Sequence, residues 1–230
     1  MSHDGMLKKV AFTTGIALLI AGCNTGSLLD SELPSPTSYV IAPLPPAAST
    51  TQSAALQTDL AIGRPDVAPG LDTSRIAVLR GRELDYYRGA QWGGNTLEVV
   101  QALLVSSLQD QKLFRSVTSE QARVASAYML DSEVRDFQAE YTEGRNAPAA
   151  HVTIIARLVR ISDRALVDTL SASARRDAAD NKMGAVAAAF EAAAHQVAQA
   201  LARDVAASVA RDRERILAVP TPPSPDPPPR

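Results

Sequence analysis

Apolar positions change their spacing several times along the 230 residues. Short runs come first. Ser38 to Ala42 (SYVIA), Leu60 to Arg64 (LAIGR) and Ser74 to Arg80 (SRIAVLR, just after Pro69-Gly70) are rich in β-branched and aliphatic residues and predict strands. From Asn95 to Leu113 the period becomes helical. Val100, Leu103, Leu104, Ser107 and Leu108 share one face, Gln101, Gln109 and Asp110 the other, and Asn95 with Glu98 three residues on has the form of a capping box. Alternation returns over Ala127 to Ala139, where Tyr128, Leu130 and Val134 are partly interleaved with Asp131, Glu133 and Arg135. Val152 to Ile161 and Ala165 to Ala174 then flank Ser162-Asp163-Arg164 as a hairpin. Finally, Met183 to about Arg213 carries Val186, Phe190, Ala193, Val197, Leu201, Val205 and Val209 at spacings of three and four, a second long helix.

Strands, a helix, further strands and a helix predict an α+β fold: two layers, with a mixed or mostly antiparallel sheet and two long helices packed on one face. The ends follow other rules. Lys8 and Lys9, the uncharged run Val10 to Ala21 and the small pair Ala21-Gly22 have the three-part layout of a secretory signal. The apolar run is about a dozen residues, short of the ~20 that span a bilayer as a helix. Residues 1–22 therefore read as a signal peptide, 23–36 as a polar flexible tether, 37–213 as the domain and 214–230 as a Pro-rich disordered tail.

Cys23 is the only cysteine, so it can form neither an intramolecular disulfide nor a thiolate zinc site. Ile20-Ala21-Gly22-Cys23 resembles the bacterial lipobox, in which the thiol receives diacylglycerol and cleavage makes the cysteine the new N-terminus; the alternative is an ordinary signal with a chance cysteine. The resemblance implies an acylated (palmitate-type) membrane anchor. Asn24, in place of an aspartate, implies the outer membrane, with the protein facing the periplasm of a Gram-negative bacterium.

A formal charge of −2 gives no electrostatic case for nucleic acid. No Gly-x4-Gly-Lys-Ser/Thr loop, Gly-x-Ser-x-Gly elbow or Ser-x-x-Lys pair occurs, and no metal or other cofactor is implied. His151 and His195 read as satisfied or surface histidines, and Glu140 with Glu143 as solvated loop-edge residues, a glycosidase-like pair being the alternative. The chain is thus expected not to be an enzyme. Tyr86, Tyr87 and Trp92, three aromatics within seven residues of a chain with few, are either a contact surface for a partner or lipid, or a cap on the core where strand meets helix.

Several segments together resemble the ABC-type transport auxiliary lipoproteins, which include the PqiC-like proteins. They are the lipobox; Ser38-Tyr39-Val40-Ile41; Pro69 to Val78 with its Arg75-Ile76-Ala77-Val78 strand; Leu84-Asp85-Tyr86-Tyr87 and Trp92; and Val134-Arg135-Asp136-Phe137. The resemblance covers roughly Ser38 to Val209. It implies a fold similar to the TolB N-terminal domain and a role beside an ABC permease, its ATPase and an MCE-domain substrate-binding protein that move lipids between the two membranes. A phospholipid ligand and a homo-oligomer are further expectations. A periplasmic cell-wall enzyme and a structural envelope lipoprotein are the rival readings.

Overall fold

The computed structural model describes residues 35–44 and 56–218. Cys23, the signal segment, most of the tether and residues 219–230 lie outside them. The described chain is α+β, with strands β1 (Thr37–Tyr39), β2 (Leu56–Ile62), β3 (Asp66–Val67), β4 (Arg75–Arg80) and β5 (Glu83–Trp92) before helix α1 (Thr96–Asp110). After α1 come β6 (Phe114–Ser119), a 3-10 turn at Glu120–Ala122, β7 (Tyr128–Tyr141), β8 (Ala149–Arg160), β9 (Ala165–Asp177) and helix α2 (Met183–Ala218).

The sheet is mixed and organised around β7. One edge of β7 pairs antiparallel with β8, which pairs antiparallel with β9. Its other edge is shared in turn by β2, β3 and β4, all parallel to it. Beyond β2 lies β6; beyond β4 lie β5 and then β1. A strand of 14 residues thus serves as the common spine for three short ones. The long helix α2 packs on β8 and β9 and touches α1, which also packs on β2, β3 and β6.

The incomplete alternation along β7 has a structural cause. The register with β8 shifts between Val134 and Asp136, so Arg135 is an extra residue in the ladder, a β-bulge. Before the bulge, Leu130, Ser132 and Val134 are buried; after it the inward positions are Phe137 and Ala139. The bulge thereby puts Val134 and Phe137, three residues apart, into the same core. Gln138 fills the local need, its side-chain carbonyl accepting the Phe137 N–H at 2.7 Å.

Under the helices the core is aliphatic and Ala-rich, with one aromatic knot. Trp92, Phe137 and Phe190 meet at centroid distances of 5.1 to 5.5 Å, the Trp92 ring edge-on to both phenylalanines. Such pairs add about 0.5–1.5 kcal/mol beyond the area they bury. The knot joins the end of β5, the middle of β7 and the second turn of α2. Farther along α2, Asp212 accepts hydrogen bonds from Tyr128 at 2.9 Å and Arg160 at 2.8 Å, tying the end of the helix to the start of β7 and the end of β8. α2 continues to Ala218, so Glu214 to Ala218 are helical where the sequence pattern places the tail.

Besides the two-residue β3, two strands have no clear signature in the sequence. β5 carries Glu83, Asp85 and Arg88 among its apolar residues, and β6 (FRSVTS) has only Phe114 and Val117 buried. Both are held by pairing with neighbours rather than by a pattern of their own.

Candidate functional site

The three aromatics singled out by composition separate in space. Trp92 is 1% exposed and belongs to the core, so of the two readings the core cap holds for it. Its indole N–H has no protein partner, a cost the three-ring packing must offset. Tyr86 and Tyr87 point to opposite faces of β5, as neighbours on a strand must. Tyr86 donates to the carbonyl of Gly70 at 2.6 Å and carries the Arg75 guanidinium 3.8 Å above its ring. Gly70 has φ +84°, a backbone conformation that L side chains rarely adopt, which is why the turn under Tyr86 takes glycine. Tyr87 shares a 3.2 Å hydrogen bond with Tyr141, and burial followed by that bond pushes its phenol well above the ordinary range. Both tyrosines are half-buried and engaged.

A groove of about 410 Å³ lies between residues 40–43 and α1. Val40, Ile41 and Pro43 form one wall, Val99, Ala102 and Leu103 the other, and Gly93-Gly94 closes one end. The capping box shapes that end: Glu98 accepts the Asn95 N–H at 3.0 Å, and a Cβ on Gly94 would stand 2.9 Å from the same carboxylate. Two side chains one turn apart on α2 hold the wall in place. Glu191 accepts the Ala42 N–H at 2.8 Å, and His195 Nε2 lies 2.8 Å from the Ala42 carbonyl. His195 is therefore a fastener of the segment that follows β1. The i, i+4 spacing of Glu191 and His195 on the helix is the signal that could have marked it.

On the sheet face away from the helices, β7, β8 and β9 carry a polar network. His151 Nδ1 is 2.7 Å from Glu140 Oε1, and its Nε2 is 3.3 Å from both Thr153 and Ser173, whose hydroxyls are 2.8 Å apart. Arg175 pairs with the other Glu140 oxygen, and Gln138 donates to Glu140 and Asp136. Burial pushes the Glu140 carboxyl up, but hydrogen bonds from His151 and Gln138 outweigh it and hold it below the usual range. Serine, histidine and carboxylate stand in the order of a nucleophile, base and orienting acid. Their setting is that of a cross-strand ladder: Ser173 is exposed, its hydroxyl is shared with Thr153, and Glu140 is spread over three partners. Glu140 and His151 are 11 residues apart, and the pairing of Gln138 with His151 across the β7–β8 hairpin brings them together.

Among the described residues no three potential metal ligands gather, and no helix is long and apolar enough to cross a membrane.

Comparison with known proteins follows the same domain. The family described as ABC-type transport auxiliary lipoprotein component matches residues 39–202, most of the described chain. No curated protein matches. Among solved structures, protein XCC0632 from Xanthomonas campestris, assigned to family DUF330, is 28% identical with a TM-score of 0.65 over 78% of this chain and 97% of its own. An uncharacterized protein, 12% identical, shares the fold with a TM-score of 0.57 over 75% of this chain and 99% of its own. A PelC dodecamer from Paraburkholderia phytofirmans is a looser likeness: 17% identity, TM-score 0.39, 66% of this chain and 95% of that one.

Proposed function

The chain belongs to the ABC-type transport auxiliary lipoprotein family, and from that premise we propose that it is the membrane-anchored, non-catalytic partner of an ABC/MCE-type transporter that moves lipid between the inner and outer membranes. The observation that carries this reading is the family match over residues 39–202, which spans β2 to β9, α1 and the first half of α2.

In this reading each part has one task. Cys23 bears the acyl groups that hold the chain on the periplasmic face of the outer membrane. One diacylglycerol with an N-acyl chain exceeds the single chain that binds a bilayer only marginally. The domain offers docking surfaces to the MCE-domain protein and, through it, to the permease and ATPase. ATP hydrolysis lies with the ATPase, because the chain has no phosphate-binding loop.

Deletion of the gene tests this. Altered outer-membrane lipid composition and lower detergent tolerance, restored by the wild-type chain and not by Cys23→Ser, are the expected results. Unchanged composition and tolerance would remove the lipid-transport role.

A further inference from the structure

A second groove, of about 470 Å³, lies at the far end of α2, within the size range of small-molecule sites. It is bounded by Ser126 to Tyr128 at the start of β7, by Ile161 at the β8–β9 turn, and by Arg213, Ile216 and Leu217 on the last turns of α2. Three of its residues are large hydrophobics left in water: Ile161 is 40% exposed, Ile216 47% and Leu217 83%. Three aliphatic side chains of this size, gathered at one groove, form an adhesive apolar surface.

The charges around it are unequal in a telling way. Arg160, at the floor, is consumed by Asp163 and Asp212. Arg211 is paired with Asp168. Arg213 is half-buried at the groove, close enough to Tyr128 to act on its phenol, and no carboxylate among the described residues pairs with it. A half-buried guanidinium beside exposed aliphatic residues lacks an anion, and the aliphatic residues lack an apolar cover. A single molecule with a hydrocarbon chain and an anionic head supplies both.

We infer that this groove binds one acyl chain of an anionic lipid, the chain lying along Ile161, Ile216 and Leu217 and the head group held by Arg213. The commitment to lipid rests on charge complementarity: a neutral apolar partner would leave Arg213 unpaired. It deepens the lipid-handling half of the proposed function by giving it a site on this chain, and it stands or falls separately from any transporter partner.

The test is photolabelling of the full chain in amphipol with a lysophosphatidylglycerol that carries a diazirine in its acyl chain, followed by peptide mass spectrometry. Saturable labelling confined to the peptides holding Ile161 and Ile216-Leu217 is expected. A neutral monoacylglycerol with the same tail should label the same peptides about tenfold less, and Arg213→Gln should bring the anionic probe down to that level, a tenfold change corresponding to about 1.4 kcal/mol. Leu217→Ser should lower labelling by both probes. Because Leu217 is on the surface, an unchanged melting temperature will show that the variant is folded. Labelling spread evenly over the protein, or indifferent to Arg213→Gln, overturns the inference. So does crosslinking that joins the Leu217 peptide to a second copy or to residues 219–230 while the lipid probes label neither peptide. Loss of lipid labelling with transporter co-purification intact would remove this site alone, whereas the converse would remove the partner reading alone.

Discussion

The two faces of the β7–β8–β9 sheet are made by the same three strands and do opposite work. Toward the helices, Val134, Phe137, Val152, Ile154, Ala156 and Leu158 are all at most 1% exposed, and the aromatic knot locks β5, β7 and α2 together. Away from them, Glu140, His151, Thr153, Ser173 and Arg175 make a ladder of hydrogen bonds that remains partly in water. The first face is dry and specific in shape; the second is satisfied pair by pair. Stability should therefore reside almost wholly on the first, leaving the second free to vary or to meet partners.

The largest expected effect is in the knot. Trp92→Ala should cost about 3–5 kcal/mol in chemical denaturation, through lost burial and the cavity left behind. Trp92→Phe keeps the ring contact and removes the unpaired indole N–H, so it should cost less than about 1.5 kcal/mol. Equal losses for both would mean that the knot's geometry, rather than its bulk, is what matters.

Next comes the polar clamp inside the dry face. Asp212→Ala leaves the Tyr128 hydroxyl and one side of Arg160 without their acceptor, and should destabilise by about 2 kcal/mol. The same clamp sets an alkaline limit. Burial, and then the bond to Asp212, pushes the Tyr128 phenol up from 10.0 to about 12. A phenol raised in the folded state contributes stability in full below the unfolded value near 10 and loses it as pH rises toward 12. Tyr128→Phe should flatten that part of the stability–pH curve; a curve unchanged by the substitution would remove Tyr128 as its source.

At the acid end, the hydrogen bond from Arg160 holds the Asp163 carboxyl down at about 2, and Arg115, with Ser116, does the same for Asp59. Their contribution is present above the ordinary carboxyl value of 3.8 and fades as pH falls toward 2. Asp59→Asn should lower stability at pH 6 and converge on the wild type at pH 2.5, so that less is lost over that acid interval, measured by urea midpoints at the two pH values.

The smallest effect belongs to the open face. His151→Ala and Glu140→Gln should each change stability by less than about 1 kcal/mol, since partly exposed ion pairs contribute little. A larger loss would show that the ladder, too, holds the sheet together.

Much of this was legible from spacing. The helix beginning at Asn95-Thr96, the hairpin over Ser162-Asp163-Arg164 and the buried stripe of α2 all follow from period and turn chemistry. Two features were hidden for physical reasons. β5 and β6 are stabilised by strand pairing, which leaves little trace in local polarity. The bulge at Arg135 looks in sequence like a fading alternation, because register against a distant strand, rather than composition, decides which residues turn inward. Spacing could flag His195 beside Glu191 but not name its partner, a carbonyl 153 positions away, and Arg213 faces the β8–β9 turn only once α2 lies across the sheet. The aromatics near residue 90 drew notice through composition, but only the fold separates the buried Trp92 from the half-buried tyrosines.

The most direct measurement is co-purification of the tagged full chain from crosslinked membranes of its native host, with Cys23→Ser run in parallel. An MCE-domain protein, an ABC permease and an ATPase should be recovered with the wild-type chain and depleted with Cys23→Ser. Recovery of none of the three with the wild-type chain, from cells in which all are expressed, would contradict its assignment to the transporter.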